Sequence, residues 1–169
     1  MPQLGVLLQV GCLTAVGALL LAAAWQDLRT LRIDDRFSIA LAAVFALWTA
    51  AGFLEGSFSL SVLSLSVACA AGLFGLGAAA FAVGMIGGGD VKLLAAIGLF
   101  AGPALVVDLL LATALMGGLM GLAVMAGAPI GPVSARGEAT LRGRMRSRVP
   151  YGPAIAVGGL WVASRLALG

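Results

Sequence analysis

The sequence predicts an all-α membrane protein, a bundle of six transmembrane helices forming a single domain. Three observations predict it. Of the 169 residues 62% are hydrophobic and 10% charged, with mean hydropathy +1.12, whereas soluble domains carry about 25% charge. The apolar residues fall into runs of spanning length, a bilayer core of about 30 Å needing roughly 20 residues per helix. The basic residues gather in alternate inter-helix segments, the pattern by which membrane topology is set.

The expected spans are 4–25, 37–54, 60–83, 86–101, 103–127 and 150–168. The first is uniformly apolar and ends at Trp25, an interfacial residue type. Residues 27–36 follow as a short aqueous loop or helix extension, with three arginines and three acids. The second span closes on the polar turn Glu55-Gly56-Ser57. The third is rich in Ala, Gly and Ser, which suits close helix packing. Gly84 to Gly89 break the apolar run before the fourth. Gly102-Pro103 end that helix, and Pro103 fits the first turn of the fifth. A Gly/Pro cluster at 127–132 stops the fifth. Residues 133–149 carry five arginines against one acid, Glu138, and Pro150-Tyr151-Gly152-Pro153 open the sixth.

Six spans put 26–36, 84–92 and 133–149 on one side, and these hold nine of the ten Lys and Arg residues. The positive-inside rule places them in the cytoplasm and both termini outside. A cleaved signal peptide is not expected, since Met1 to Val10 lack a basic segment.

Histidine is absent. That removes Ser-His and Cys-His catalysis, His proton shuttles and His zinc sites. Cys12 and Cys69 lie far apart in apolar runs with no CxxC pair, so no thiolate metal site is expected either. No metal, cofactor or nucleic-acid partner is expected.

Asp90 follows Gly87-Gly88-Gly89 inside an apolar run in which it and Lys92 are the sole charges. An acid at membrane depth costs roughly 2.5–3.5 kcal/mol at a helix centre and marks a functional site by default. The topology brings a second acid, Asp27, to the same cytoplasmic end. Two carboxylates at matched depth suit aspartyl protease chemistry. One takes a proton from water while the other, protonated, polarises the scissile carbonyl, because like charges a few ångströms apart cannot both ionise. Gly87, Gly88 and Gly89 lack a Cβ and would let an extended substrate backbone approach. Read blandly, Asp27 is an interface acid beside Arg29, Asp90 half of an ion pair with Lys92 or an arginine, and Lys92 a snorkelling anchor. A Ser-Lys dyad is weakened because the serines of helix three end at Ser66; Lys92 as a tuner of Asp90 stays open.

Gly87-Gly88-Gly89-Asp90 matches the GxGD signature of intramembrane aspartyl proteases. Asp27-Leu28-Arg29-Thr30-Leu31-Arg32-Ile33 resembles the first-aspartate motif of type IV prepilin peptidases. Val149-Pro150-Tyr151-Gly152-Pro153-Ala154 resembles the sixth-helix start of the short CpaA/TadV-like branch of Tad/Flp pilus systems. The resemblance spans the whole chain in length, order and spacing. It implies removal of prepilin leader peptides at the cytoplasmic face, with Asp27 and Asp90 as the catalytic pair and Tyr151 among the residues near the site. Longer relatives carry paired CxxC zinc motifs and N-methylate the product. This chain has none, so a peptidase without methyltransferase activity is expected.

The chain departs from the family pattern after Ile33, where Asp34-Asp35 replace Pro-Asn. Two acids there can cap helix two. They also crowd negative charge near Asp27, and Asp34 becomes the second candidate for its role. Signal-peptide-peptidase-like enzymes share GxGD but usually place Tyr before the first acid, where this chain has Gln26. The alternative from another class is a small transporter or channel subunit with Asp90 as its ion- or proton-coupling acid. The expected partners are a prepilin, the bilayer itself, and anionic lipids or an acidic pilin segment at the 133–149 loop. The sequence leaves the oligomeric state open.

Overall fold

The structure, a computed structural model, describes residues 2–128, 130 and 150–168. Regular structure among them is entirely helical: α1 (Pro2–Thr30), α2 (Asp35–Glu55), α3 (Leu60–Ala82), α4 (Gly88–Met125) and α5 (Gly152–Leu168). Among the described residues four helices are long and apolar enough to cross a membrane, α1 through Leu7–Thr30 and α2, α3 and α4 in full. α5 is a shorter apolar helix of 17 residues. Large apolar side chains point outward on several helices, with Leu47 66%, Leu76 71% and Leu115 69% exposed. Apolar surface on that scale belongs against lipid rather than water.

The helix ends follow local chemistry. α1 continues past residue 25 to Thr30, so Asp27 is helical, and Leu31 stops it with φ 53°. Leu31 N–H donates to the Asp27 carbonyl at 2.8 Å. A left-handed leucine costs about 1–2 kcal/mol, and it turns the chain sharply toward α2. Asp34 occupies the N-cap of α2, yet its side chain makes no capping bond; it pairs with Arg36 at 3.2 Å instead. The two acids thus stand where a cap was expected, Asp34 at the N-cap and Asp35 in the first turn, but the Asp34 carboxylate goes to the nearby guanidinium rather than to a backbone N–H. Gly56 at φ 71° closes α2, and the Ser59 hydroxyl caps α3 by accepting from Val62 N–H at 3.3 Å.

α4 is 38 residues long, about 57 Å if straight at 1.5 Å per residue, against a hydrocarbon core of about 30 Å. It is not straight. Gly102 adopts φ 52°, ψ −165° with Pro103 directly after it, which splits α4 into limbs 88–101 and 103–125. The break falls where the sequence places the boundary between its fourth and fifth helices. The conformation is one that glycine alone adopts readily.

Packing is centred on α4 and α5. α4 lies against α2, α3 and α5, and α1 against α2 and α5. Leu20, Leu41, Leu93, Ile97 and Leu109 are fully buried at these seams. Phe45 of α2 meets Phe100 of α4 edge-on at 5.1 Å between ring centres. A Cβ on Gly159 would come within 2.6 Å of Leu20, and one on Gly158 within 2.9 Å of the Leu109 carbonyl. Two adjacent small residues thus let α5 nest between α1 and the second limb of α4. That nesting carries the N-terminus of α5 to Asp27.

Candidate active site

Asp27 sits in the last turns of α1 and is only 3% exposed. Its Oδ2 accepts the backbone N–H of Gly152 at 2.7 Å. Tyr151 carbonyl accepts the first helical bond of α5, from Ile155 at 3.0 Å, so Gly152 N–H is one of the donors that a helix start leaves unsatisfied. An acid on one helix therefore caps another. The partial positive charge at the N-terminus of α5 favours a carboxylate there. Pro153, the next residue, has no N–H, so Gly152 is the donor nearest the helix start on that side.

Asp90 is the third residue of α4, counted from Gly87 at its N-cap. Its Oδ2 accepts Gly87 N–H at 3.0 Å, the half of a capping box that a glycine N-cap allows, and this steadies the helix start. Its Oδ1 is buried and has no hydrogen-bond partner among the described residues. Leaving a buried acceptor unmade costs about 1–3 kcal/mol, so this oxygen marks a place where a further group belongs. The two acids lie at the same end of the bundle: Asp27 is in the last turn of α1, and the turn that follows it sets the Ile33 carbonyl over Gly89, the residue before Asp90. Each carboxylate is held by one oxygen on a backbone N–H, and Asp90 keeps its second oxygen free. That is an arrangement able to hold and polarise a water between two acids.

The glycines before Asp90 are used differently from the expectation of an open substrate gap. A Cβ on Gly89 would lie 2.6 Å from the Ile33 carbonyl oxygen, and one on Gly87 2.7 Å from Asp90 Oδ2. The chain's own turn and the Asp90 carboxylate fill those spaces. Only over Gly88 is there ordinary room, with the Phe81 ring 3.6 Å away.

The remaining sequence candidates divide. Lys92 does not pair with Asp90; its Nζ binds Asp35 Oδ2 at 2.6 Å, joining α4 to the start of α2. The reading of Asp90 and Lys92 as an ion pair is thereby corrected. Residues two apart on a helix point about 200° apart, so Lys92 faces α2 rather than the carboxylate. Asp34 is half exposed and held by Arg36, which turns it outward from the site. Tyr151 lies half-buried with its ring against Gly117 of the second α4 limb. The arginine-rich loop 133–149 lies outside the described residues.

Three contributors escape a reading of the sequence. Gly152 was visible as part of a helix start but not as the donor to Asp27. Ile33 was visible as a motif residue, and its carbonyl as the neighbour of Gly89 was not. Asp35 was visible as a helix-start acid but not as the partner of Lys92. Among the described residues no cluster of three or more His, Cys, Asp or Glu could hold a metal ion.

Comparison with curated proteins gives no match, and comparison with solved structures gives none either. Comparison with protein-family models matches residues 14–122 to the type IV leader peptidase family. That match covers most of the chain and includes both acids, the loop between α1 and α2 and the glycine-rich start of α4, and the chain accordingly belongs to the type IV leader peptidase family.

Proposed function

We propose that this membrane peptidase removes the leader peptide of Flp-type prepilins at the cytoplasmic face of a bacterial inner membrane, with Asp27 and Asp90 as the catalytic pair. The single observation that carries the reading is the buried Asp90 Oδ1, unpartnered among the described residues, at the end of α4 onto which the turn that follows Asp27 folds. In the proposed reaction one carboxylate, as base, takes a proton from water. The resulting oxygen attacks the scissile carbonyl, which the other, protonated carboxyl polarises. The departing amine then receives a proton from the pair, so the dyad ends with the proton count it began with.

Six spans with both termini outside suit this reading, since the charge pattern then puts both acids on the basic, cytoplasmic side. The break at Gly102 supports counting the two limbs of α4 as separate crossings. Access for a substrate backbone along Gly87 to Gly89 would require the 31–34 turn to move off Gly89. The arginines of the 133–149 loop suit anionic headgroups or an acidic pilin segment. Methyl transfer is not part of the proposal, because Cys12 and Cys69 cannot form the paired CxxC sites that accompany it.

The test is cleavage of a Flp-type prepilin by the purified protein, with Asp27→Asn and Asp90→Asn as controls. The expected result is a product of leader-peptide size from the parent and none from either variant. Cleavage persisting in either variant overturns the two-aspartate assignment, and a parent that cleaves no prepilin overturns the substrate.

A further inference from the structure

The two helices that carry the acids do not pack chiefly against each other: α1 lies against α2 and α5, and α4 against α3, α5 and α2, so that α2 and α5 are the elements they share. Their relative placement is therefore set through intermediaries. On one side the intermediary is α5, whose Gly152 holds Asp27. On the other it is the 31–34 turn and the start of α2. That turn contains Leu31 in a left-handed conformation at φ 53°, a strained state that persists only where the surroundings over-determine it. Ile33, 9% exposed, lies with its carbonyl over Gly89, the residue before Asp90. Gln26 Oε1 accepts Asp34 N–H at 3.4 Å and steadies the α1 side. On the α4 side the clamp is the ion pair from Asp35 Oδ2 to Lys92 Nζ, 2.6 Å long and 57 residues apart in sequence.

We propose that Asp35 is a positioning residue of this site, which through Lys92 clamps the 31–34 turn onto the first turn of α4 and so fixes Asp90 with respect to Asp27. The inference rests on the protease reading of the two acids. Asp34 and Asp35 then have separate roles despite their adjacency: Asp34 pairs locally with Arg36, while Asp35 alone reaches another helix. The clamp acts two residues from Asp90, on the opposite side of its helix. It touches no reacting atom, so its loss would show in the rate of the bound complex more than in substrate affinity. The pair is 45% and 59% exposed on its two side chains, so its contribution is modest, about fivefold at most for a half-exposed pair.

The experiment uses the full chain with Asp35→Asn, Lys92→Met, Lys92→Arg and the exchanged pair Asp35→Lys/Lys92→Asp. Two quantities are read: amide hydrogen exchange over residues 28–36 and 87–92, and kcat and KM on a Flp-type prepilin. The expected result for Asp35→Asn and Lys92→Met is exchange faster by about two- to fivefold in both segments, kcat lower by about two- to fivefold and KM within about twofold. Lys92→Arg and the exchanged pair recover at least half of both losses. Unchanged exchange in the single variants overturns the clamp. Faster exchange with unchanged kcat overturns its positioning role, as does an exchanged pair no better than the singles. Should the parent cleave no prepilin, the protease reading fails by itself, and exchange rates alone then decide whether the pair holds the turn.

Discussion

Gly152 N–H and Asp27 Oδ2 meet at 2.7 Å across 125 residues of sequence. One short bond joins the N-terminus of α5 to the buried acid of α1, and the space above Gly152 is occupied by that same acid. A Cβ at 152 would stand 2.7 Å from Asp27 Cβ and 2.9 Å from Oδ2. Neither α1 nor α5 can yield cheaply, since Gly159 meets Leu20 on the same seam.

Gly152→Ala is therefore expected to displace the Asp27 carboxylate. Overpacking of this kind costs about 1–3 kcal/mol, and prepilin cleavage falls at least about tenfold, because misplacing a catalytic group by about 1 Å costs up to about 100-fold. Cleavage kinetics together with thermal unfolding in detergent check it. A variant with the parent's rate would show that the bond does not position Asp27.

The two glycines next to Asp90 should respond in opposite ways. Gly89→Ala drives a methyl to within 2.6 Å of the Ile33 carbonyl, whereas Gly88→Ala meets the Phe81 ring at 3.6 Å, an ordinary contact. The first is expected to lose most cleavage and to loosen the 31–34 turn. The second is expected to keep the parent's rate within about twofold and to gain up to about 1 kcal/mol of helix stability. Parallel kinetics and melting of the two variants test the contrast.

Asp90 has a structural task distinct from chemistry. Its Oδ2 ties down Gly87 N–H. Asp90→Asn keeps an acceptor for that bond and Asp90→Ala does not. Both are expected to abolish cleavage, while only the alanine variant loses the helix-start contribution, about 0.5–2 kcal/mol. Unfolding midpoints of the three proteins separate the two roles; equal midpoints would show that the tie to Gly87 contributes nothing.

Gly102→Ala tests the break in α4. At φ 52°, ψ −165° a side chain is strained, and the Ser66 hydroxyl lies 3.1 Å from where the Cβ would sit. A cost of about 1–3 kcal/mol is expected, read as a lowered unfolding midpoint. Cleavage at a temperature well below that midpoint should change little, because the break is at the far end of the first limb from Asp90.

Much of the fold was legible because membrane helices announce themselves. Runs such as Leu4 to Ala24 have no other low-energy state in a bilayer, where every backbone polar group must be satisfied within the segment. Gly102-Pro103 was legible as a break because proline cannot continue a helix undisturbed and glycine tolerates the turn it requires. The exact stop of α1 was not. Asp27 to Thr30 are polar enough for a loop, and it is burial of Asp27 against Gly152 that keeps them helical.

The site was legible in part for a similar reason. Asp90 stands out because an acid in an apolar run is expensive, and Asp27 because topology brings it to the same side. Which partners those acids have was hidden. Lys92 is nearer to Asp90 in sequence than to any other acid, yet helical geometry turns it toward Asp35. The glycines were legible as close-approach positions, but whether a substrate or the chain's own Ile33 makes that approach depends on where a turn 56 residues upstream comes to rest.

By itself, then, the sequence determined the all-helical membrane class and the family resemblance and singled out the two acids as candidates, all from local composition, spacing and charge. The tertiary structure alone decided what surrounds those acids: Gly152 on Asp27, Gly87 on Asp90, Ile33 over Gly89, and Lys92 on Asp35. The physical reason is that, apart from the tie of Gly87 to Asp90, these contacts join residues far apart in the chain. Their geometry is fixed by how the small residues of α5 let it nest between α1 and α4, and no single segment encodes that.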